Sequence, residues 1–77
     1  MGNIAQKTID NIYFQLGNPD EFEDGYITNG AVMGQTVTQE DYGEVYKPTF
    51  IEYEAKVIRN GDKLEWQIVN WKRIGRN

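Results

Sequence analysis

Two carboxylates, Glu52 and Glu54, stand two positions apart in a run of strand-forming residues, Ile51-Glu52-Tyr53-Glu54-Ala55. On a strand that spacing places both on one face, where a buried pair can share a proton and do acid–base work. Lys56 follows on the same face. Because glutamate is rarely buried, the pair reads as a charged, solvent-facing strand surface. Few other chemistries are open to this chain. It has no serine, cysteine or histidine, which removes Ser and Cys nucleophiles, the histidine base, and thiolate or imidazole metal ligands. A chain of 77 residues also has little material from which to shape an enclosed cleft. The expectation is a protein that is not an enzyme and has no catalytic residues, cofactor or metal.

Two further stretches invite a ligand and fail on spacing. Asp20-Glu21-Phe22-Glu23-Asp24-Gly25 is acidic, but a calcium loop needs oxygen ligands at alternating positions and a glutamate at the twelfth. Phe22 stands where a ligand belongs, and the twelfth position from Asp20 is Ala31. Gly30-Ala31-Val32-Met33-Gly34 is not a phosphate cradle, since no Lys-Ser/Thr pair or helix start follows it. These glycines read as turn and bulge residues.

The remaining candidate surface depends on a hairpin. Asn60-Gly61 between two runs rich in β-branched and aromatic residues is the strongest short-range hairpin signal, because a type I′ turn needs positive φ twice. Placing both at the turn sets Val57 opposite Leu64, Ala55 opposite Trp66, Tyr53 opposite Ile68 and Ile51 opposite Asn70. That face is nearly all apolar and forms the expected core side. The other face pairs Ile58 with Lys63, Lys56 with Glu65, Glu54 with Gln67, Glu52 with Val69 and Phe50 with Trp71. At its far end Phe50, Val69, Trp71 and Arg73 then cluster, with Tyr46 and Pro48 on the same parity. Aromatic residues and arginine are enriched at binding hot spots, so Phe50, Val69, Trp71, Arg73 and Tyr46 are the candidate partner-binding residues. The same register predicts that Gly61→Val costs more stability than Gly34→Ala.

Elements must hold that hairpin in place. Ala5, Ile9, Ile12, Tyr13 and Leu16 recur at helical spacing, which predicts a helix over about 4–16. Asn3 is the expected cap with Gln6 as its capping-box partner, and Gly17-Asn18-Pro19 the stop. An acidic connector, 17–25, follows. A second Asn-Gly, Asn29-Gly30, predicts a short hairpin over 26–38, and the long hairpin occupies 44–74. The expected fold is α+β: a single domain, 1–77, with an N-terminal helix packed on a small twisted antiparallel meander of about four strands. The C-terminal hairpin dominates it. A small barrel of the SH3 or OB type is the alternative, because long twisted hairpins can roll up.

Composition sets the class. Apolar residues at 39% and aromatics at 13% suffice for a folded domain, though one of this size holds only ~3–5 kcal/mol of net stability. No apolar run reaches the ~18 residues of a membrane span, and residues 1–7 lack the character of a signal peptide. A cytoplasmic protein without membrane contact is expected. Met1-Gly2 does not make a myristoylation site, because Gln6 stands where Ser or Thr is required. The net charge of −4 is uneven: residues 1–43 carry −6 and residues 44–77 carry +2. That polarity can steer a partner.

Two functions fit these constraints. The first is a protein-binding module that acts by occupying a partner's surface, with a homodimer as a variant. Small, free-standing acidic proteins of this kind include phage-encoded inhibitors of a host enzyme or nucleic-acid machine, an analogy of size and composition. The second is single-stranded nucleic-acid binding, with Trp66 and Trp71 stacking on bases among Lys56, Lys63, Lys72, Arg73 and Arg76. The overall acidity and Glu52, Glu54 and Glu65 among those bases weigh against nucleic acid.

Overall fold

The computed structural model describes residues 3–74, and its first element is a short edge strand. Asn3–Ile4 (β1) pairs with Val37 and Thr36. The helix α1, Gln6–Leu16, follows with Ala5 as its N-cap. Then come a 3₁₀ turn, Pro19–Glu21, and three long strands: β2, Ile27–Glu40; β3, Gly43–Asn60; and β4, Lys63–Ile74. All pairings are antiparallel, in the order β1-β2-β3-β4. The architecture is α+β with one helix on one face of an open four-stranded sheet. The sheet does not close, so the barrel alternative is set aside. Among the described residues no helix is long and apolar enough to cross a membrane.

The helix forms where its apolar spacing predicts. Ala5, Thr8 and Ile12 are buried, and Ile9 and Leu16 pack against the core. Its start differs from expectation. Asn3 is drawn into the sheet and caps nothing, while Gln6 bonds Asp10 one turn ahead. Gly17 ends the helix with φ 82°, its N–H donating to the Tyr13 carbonyl, a geometry that a residue without Cβ adopts freely. The connector then folds over β4. Phe22 stacks on Tyr26 at 4.7 Å and meets Trp66 edge-on at 5.3 Å.

Three corrections concern the sheet. Asn29-Gly30 is not a turn: β2 runs through it as one strand of 14 residues, and the chain reverses at Asp41-Tyr42. Gly30 is required for another reason, since a Cβ there would overlap the Tyr53 hydroxyl and lie 2.6 Å from Cζ. Tyr53 lays its ring across the strand and donates its hydroxyl proton to Gln15 Oε1 at 3.2 Å, tying α1 to β3. Gly34 likewise lies under Thr8 of the helix. Both glycines mark close approaches, not turns or bulges.

The second correction is the frame of the last hairpin. Asn60 pairs with Lys63, so the turn residues are Gly61 and Asp62, with Gly61 at φ 71°. The pairing moves by two residues, which preserves parity. Val57 therefore opposes Trp66 and Ala55 opposes Ile68, still on the core side. The expected Lys56–Glu65 pair is lost: Lys56 opposes Gln67, and Glu65 opposes Ile58.

The third is a β-bulge. Ala55 pairs with Ile68, but Glu54 pairs with Asn70, leaving Val69 as the extra residue. One inserted residue reverses the facing of everything beyond it. Tyr53 consequently opposes Trp71, and Ile51 opposes Arg73. The core gathers Ile4, Ile12, Val32, Ile51, Tyr53, Ala55, Val57 and Trp66, with Trp71 packed against it. Trp66 is 8% exposed and donates Nε1–H to the Gly17 carbonyl at 3.1 Å. Its polar atom is thus satisfied inside the core, as a buried indole requires.

Candidate functional site

Pairing decides which residues share a face, because directly opposed residues of antiparallel strands point the same way. The helix covers the face that holds Ile51, Tyr53, Ala55 and Val57. The opposite face carries the alternate residues and has no element packed on it among the described residues.

On that open face Met33, Phe50 and Ile74 form a row across β2, β3 and β4. Met33 is 65% exposed and Phe50 43%. Toward the tip of the β2–β3 hairpin the next rows are Gln35 with Pro48 and Val37 with Tyr46. Tyr46 is 51% exposed. Away from the tip lies the row Ala31, Glu52 and Lys72, where Lys72 Nζ stands 3.5 Å from Glu52 Oε1. An ion pair therefore bounds the apolar patch on one side. Glu52 and Glu54 do share this solvent-facing side, and Glu52 has a cationic neighbour.

The five sequence candidates separate. Phe50 and Tyr46 share the open face. Trp71 does not: the bulge turns it to the helix side, opposite Tyr53, where it packs against the core. Arg73 is exposed but opposes Ile51, on the helix side as well. Val69 is the unpaired bulge residue and is half-exposed. The expected cluster of Phe50, Val69, Trp71 and Arg73 on one face is thereby corrected. In its place the structure joins Phe50 and Tyr46 to Met33, Val37, Pro48 and Ile74.

Met33 was missed because a turn at Asn29-Gly30 places it on a short separate arm. A turn at Asp41-Tyr42 would have set it opposite Phe50. Ile74 was missed because no residue type at 69 announces a bulge. Phe14, 87% exposed, lies off the helix stripe, on the side of α1 facing away from the sheet.

The patch is chemically quiet. At its tip end the Tyr46 hydroxyl donates to Glu44 Oε1 at 2.9 Å. That bond, together with the negative charge of Glu44, raises the Tyr46 pKa above the usual tyrosine value. No grouping of three or more His, Cys, Asp or Glu side chains suited to a metal occurs among the described residues. A shallow polar groove near the bulge is lined by Asn29, Glu52, Glu54, Asn70 and Lys72 with Tyr53 and Trp71. Arg76, one of the bases considered for nucleic acid, lies outside the described residues, as does the Met1-Gly2 start. Compared with protein-family models, curated proteins and solved structures, the chain matches none.

Proposed function

We propose that the protein is a non-catalytic binding module that holds another protein against the open face of its sheet. The observation that carries this reading is the uncovered row of Met33, Phe50 and Ile74, extended by Val37, Pro48 and Tyr46. Met, Tyr and Phe are enriched at the centres of interfaces, and contiguous apolar patches on small soluble domains mark interaction sites. The partner's chemistry follows from the surroundings. The hairpin tip next to the patch carries Glu40, Asp41 and Glu44, so the complementary surface is apolar with lysine or arginine facing the tip.

Single-stranded nucleic acid is less well supported. Trp66 is enclosed by Phe22, Tyr26 and Val57, and Trp71 packs on the core, so the last hairpin presents neither indole as a free stacking platform. The narrower reading, a cytoplasmic phage-type inhibitor of a host enzyme or nucleic-acid machine, rests on size and acidity alone.

The test is capture from a lysate with three baits: the native chain, Phe50→Ser/Met33→Ser, and Phe14→Ser. A specific protein retained by the native chain and by Phe14→Ser, but lost from the double variant, supports the open face. Equal retention by all three, or loss only with Phe14→Ser, overturns it.

A further inference from the structure

Every open sheet has edges, and this one protects its edges unequally. The outer edge of β4 carries Lys63, Glu65, Lys72 and Arg73 and is interrupted by the bulge at Val69. The part of β3 beyond its described pairing with β4, 43–49, carries Glu44, Lys47 and Pro48. Charges, proline and bulges are the usual devices against pairing with another strand. The outer edge of β2 over 27–33 has none of them. Ile27-Thr28-Asn29-Gly30-Ala31-Val32-Met33 contains no charge and no proline, and its pairing with β3 is unbroken.

This edge is also vacant along a defined length. β1 pairs only at Thr36 and Val37, and the Gln35 carbonyl and N–H are taken by Ala5 N and Thr8 Oγ1. At the other end the chain turns away at Gly25, φ 93°. Among the described residues no backbone or side-chain group bonds the outward side of 27–33. The alternate N–H and C=O groups along 27–33 lack a partner among the described residues.

We propose that this edge pairs antiparallel with the same edge of a second copy of the chain, about a two-fold axis at Gly30. That register sets Ile27 of one chain opposite Met33 of the other, Thr28 opposite Val32, and Asn29 opposite Ala31. Each opposed pair shares a face, as antiparallel pairing requires. Ile27 is 51% exposed and Met33 65%, so two half-bare apolar pairs cover one another. No like charges oppose, although each chain carries a net −4. The same self-pairing along β4 or along 43–49 of β3 would bury charged residues or meet a bulge or proline. The two sheets become one sheet of eight strands, leaving both Phe50 faces free. Seven residues a side fall short of the ~1,200 Å² of a stable interface, so the dimer is weak and concentration-dependent.

The test is sedimentation equilibrium of the native chain from about 10 µM to about 1 mM, the range a weak interface calls for. Ala31→Lys places a cation beside the axis in each chain and is expected to raise the dimer dissociation constant at least ~10-fold. Ala31 is exposed and opposes Glu52 within its own chain, so the lysine does not burden the fold. Adding Asn29→Asp sets Asp opposite Lys across the axis and is expected to restore dimerisation. Circular dichroism confirms folding of each variant. A native chain that stays monomeric at every concentration overturns the proposal. So does a dimer indifferent to Ala31→Lys, or protection of the 27–33 amides that arises only when a different protein is added. Phe50→Ser leaves this dimer intact, which separates it from the open-face contact.

Discussion

Replacing Gly34 by alanine tests the contact that seats the helix on the sheet. The added methyl would overlap Thr8 Cγ2 and lie 2.6 Å from Thr8 Oγ1 and 3.0 Å from its Cβ. Thr8 is 3% exposed and belongs to α1, so its backbone cannot retreat without lifting the helix. Rotating the side chain instead moves Oγ1 away from the Gln35 N–H, which donates to it at 2.9 Å. Overpacking of this kind costs about 1–3 kcal/mol, and leaving a partly buried N–H unpaired costs about 1–3 kcal/mol more. The loss of unfolded-state freedom on Gly→Ala offsets only about 0.4–1 kcal/mol. The net is a loss of about 1–5 kcal/mol, in a domain that holds roughly 3–5.

Urea denaturation followed by Trp66 fluorescence measures that loss. Thr8→Ala removes both Cγ2 and Oγ1, so in its background Gly34→Ala is expected to cost about 1 kcal/mol or less, a coupling that a double-mutant cycle reads directly. At Gly61 nothing lies within 4 Å and only the φ of 71° opposes a side chain, worth about 1–3 kcal/mol. The order expected from sequence, with Gly61→Val the more damaging, is thus replaced by Gly34→Ala costing at least as much. A Gly34→Ala midpoint at or above that of the native chain would refute the reasoning, as would the same cost in both backgrounds.

Other variants probe the sheet and the tyrosines. Trp71→Ala is expected to lose about 2 kcal/mol or more, because Trp71 packs on the core, whereas exposed Phe50→Ser loses well under 1 kcal/mol; equal losses in a thermal melt would place Trp71 on the open face after all. Deleting Val69 joins Ile68 to Asn70 and leaves Trp71 facing the core, so the deletion variant should stay folded at a cost on the order of 1 kcal/mol; unfolding, or solvent-quenched Trp71 fluorescence, would deny the bulge. Burial raises the Tyr53 pKa above the ordinary 10.0. A raised folded-state pKa means that stability is intact below about pH 10 and falls as pH climbs through the folded value. Tyr53→Phe should flatten that part of the decline, and identical urea midpoints against pH for both chains would remove Tyr53 as its source.

How much of this was legible in the sequence depends on what kind of signal each feature leaves. The helix is legible because Ala5, Ile9, Ile12 and Leu16 repeat a period that only one geometry satisfies. Trp66 in the core is legible for a subtler reason. The turn moved from Asn60-Gly61 to Gly61-Asp62, yet a shift of two leaves the inward set unchanged, so parity was correct where pairing was not. The bulge has the opposite character. Val69 is as good a strand residue as its neighbours, and its insertion alters no local pattern while reversing the facing of Asn70 to Ile74. What forces it is tertiary. Regular alternation would put Trp71 on the open face and Asn70 against Tyr53, whereas the bulged strand brings Trp71 to Tyr53 and the core.

The two misread glycines belong to the same class of information. Asn29-Gly30 is a turn signal by local rules, but Gly30 is where Tyr53 crosses β2 and Gly34 is where Thr8 meets it. Both contacts are made by residues 23 or more positions away in the chain, and a short-range rule has no access to them. The same two close approaches fix the functional geometry. Because the helix and the Tyr53 ring press against one side of β2, that side is filled. The residues between and beside the glycines, Ile27, Ala31 and Met33, are left on the opposite face and along an unprotected edge. The features that made the strand hard to read are therefore the ones that leave it available to a partner.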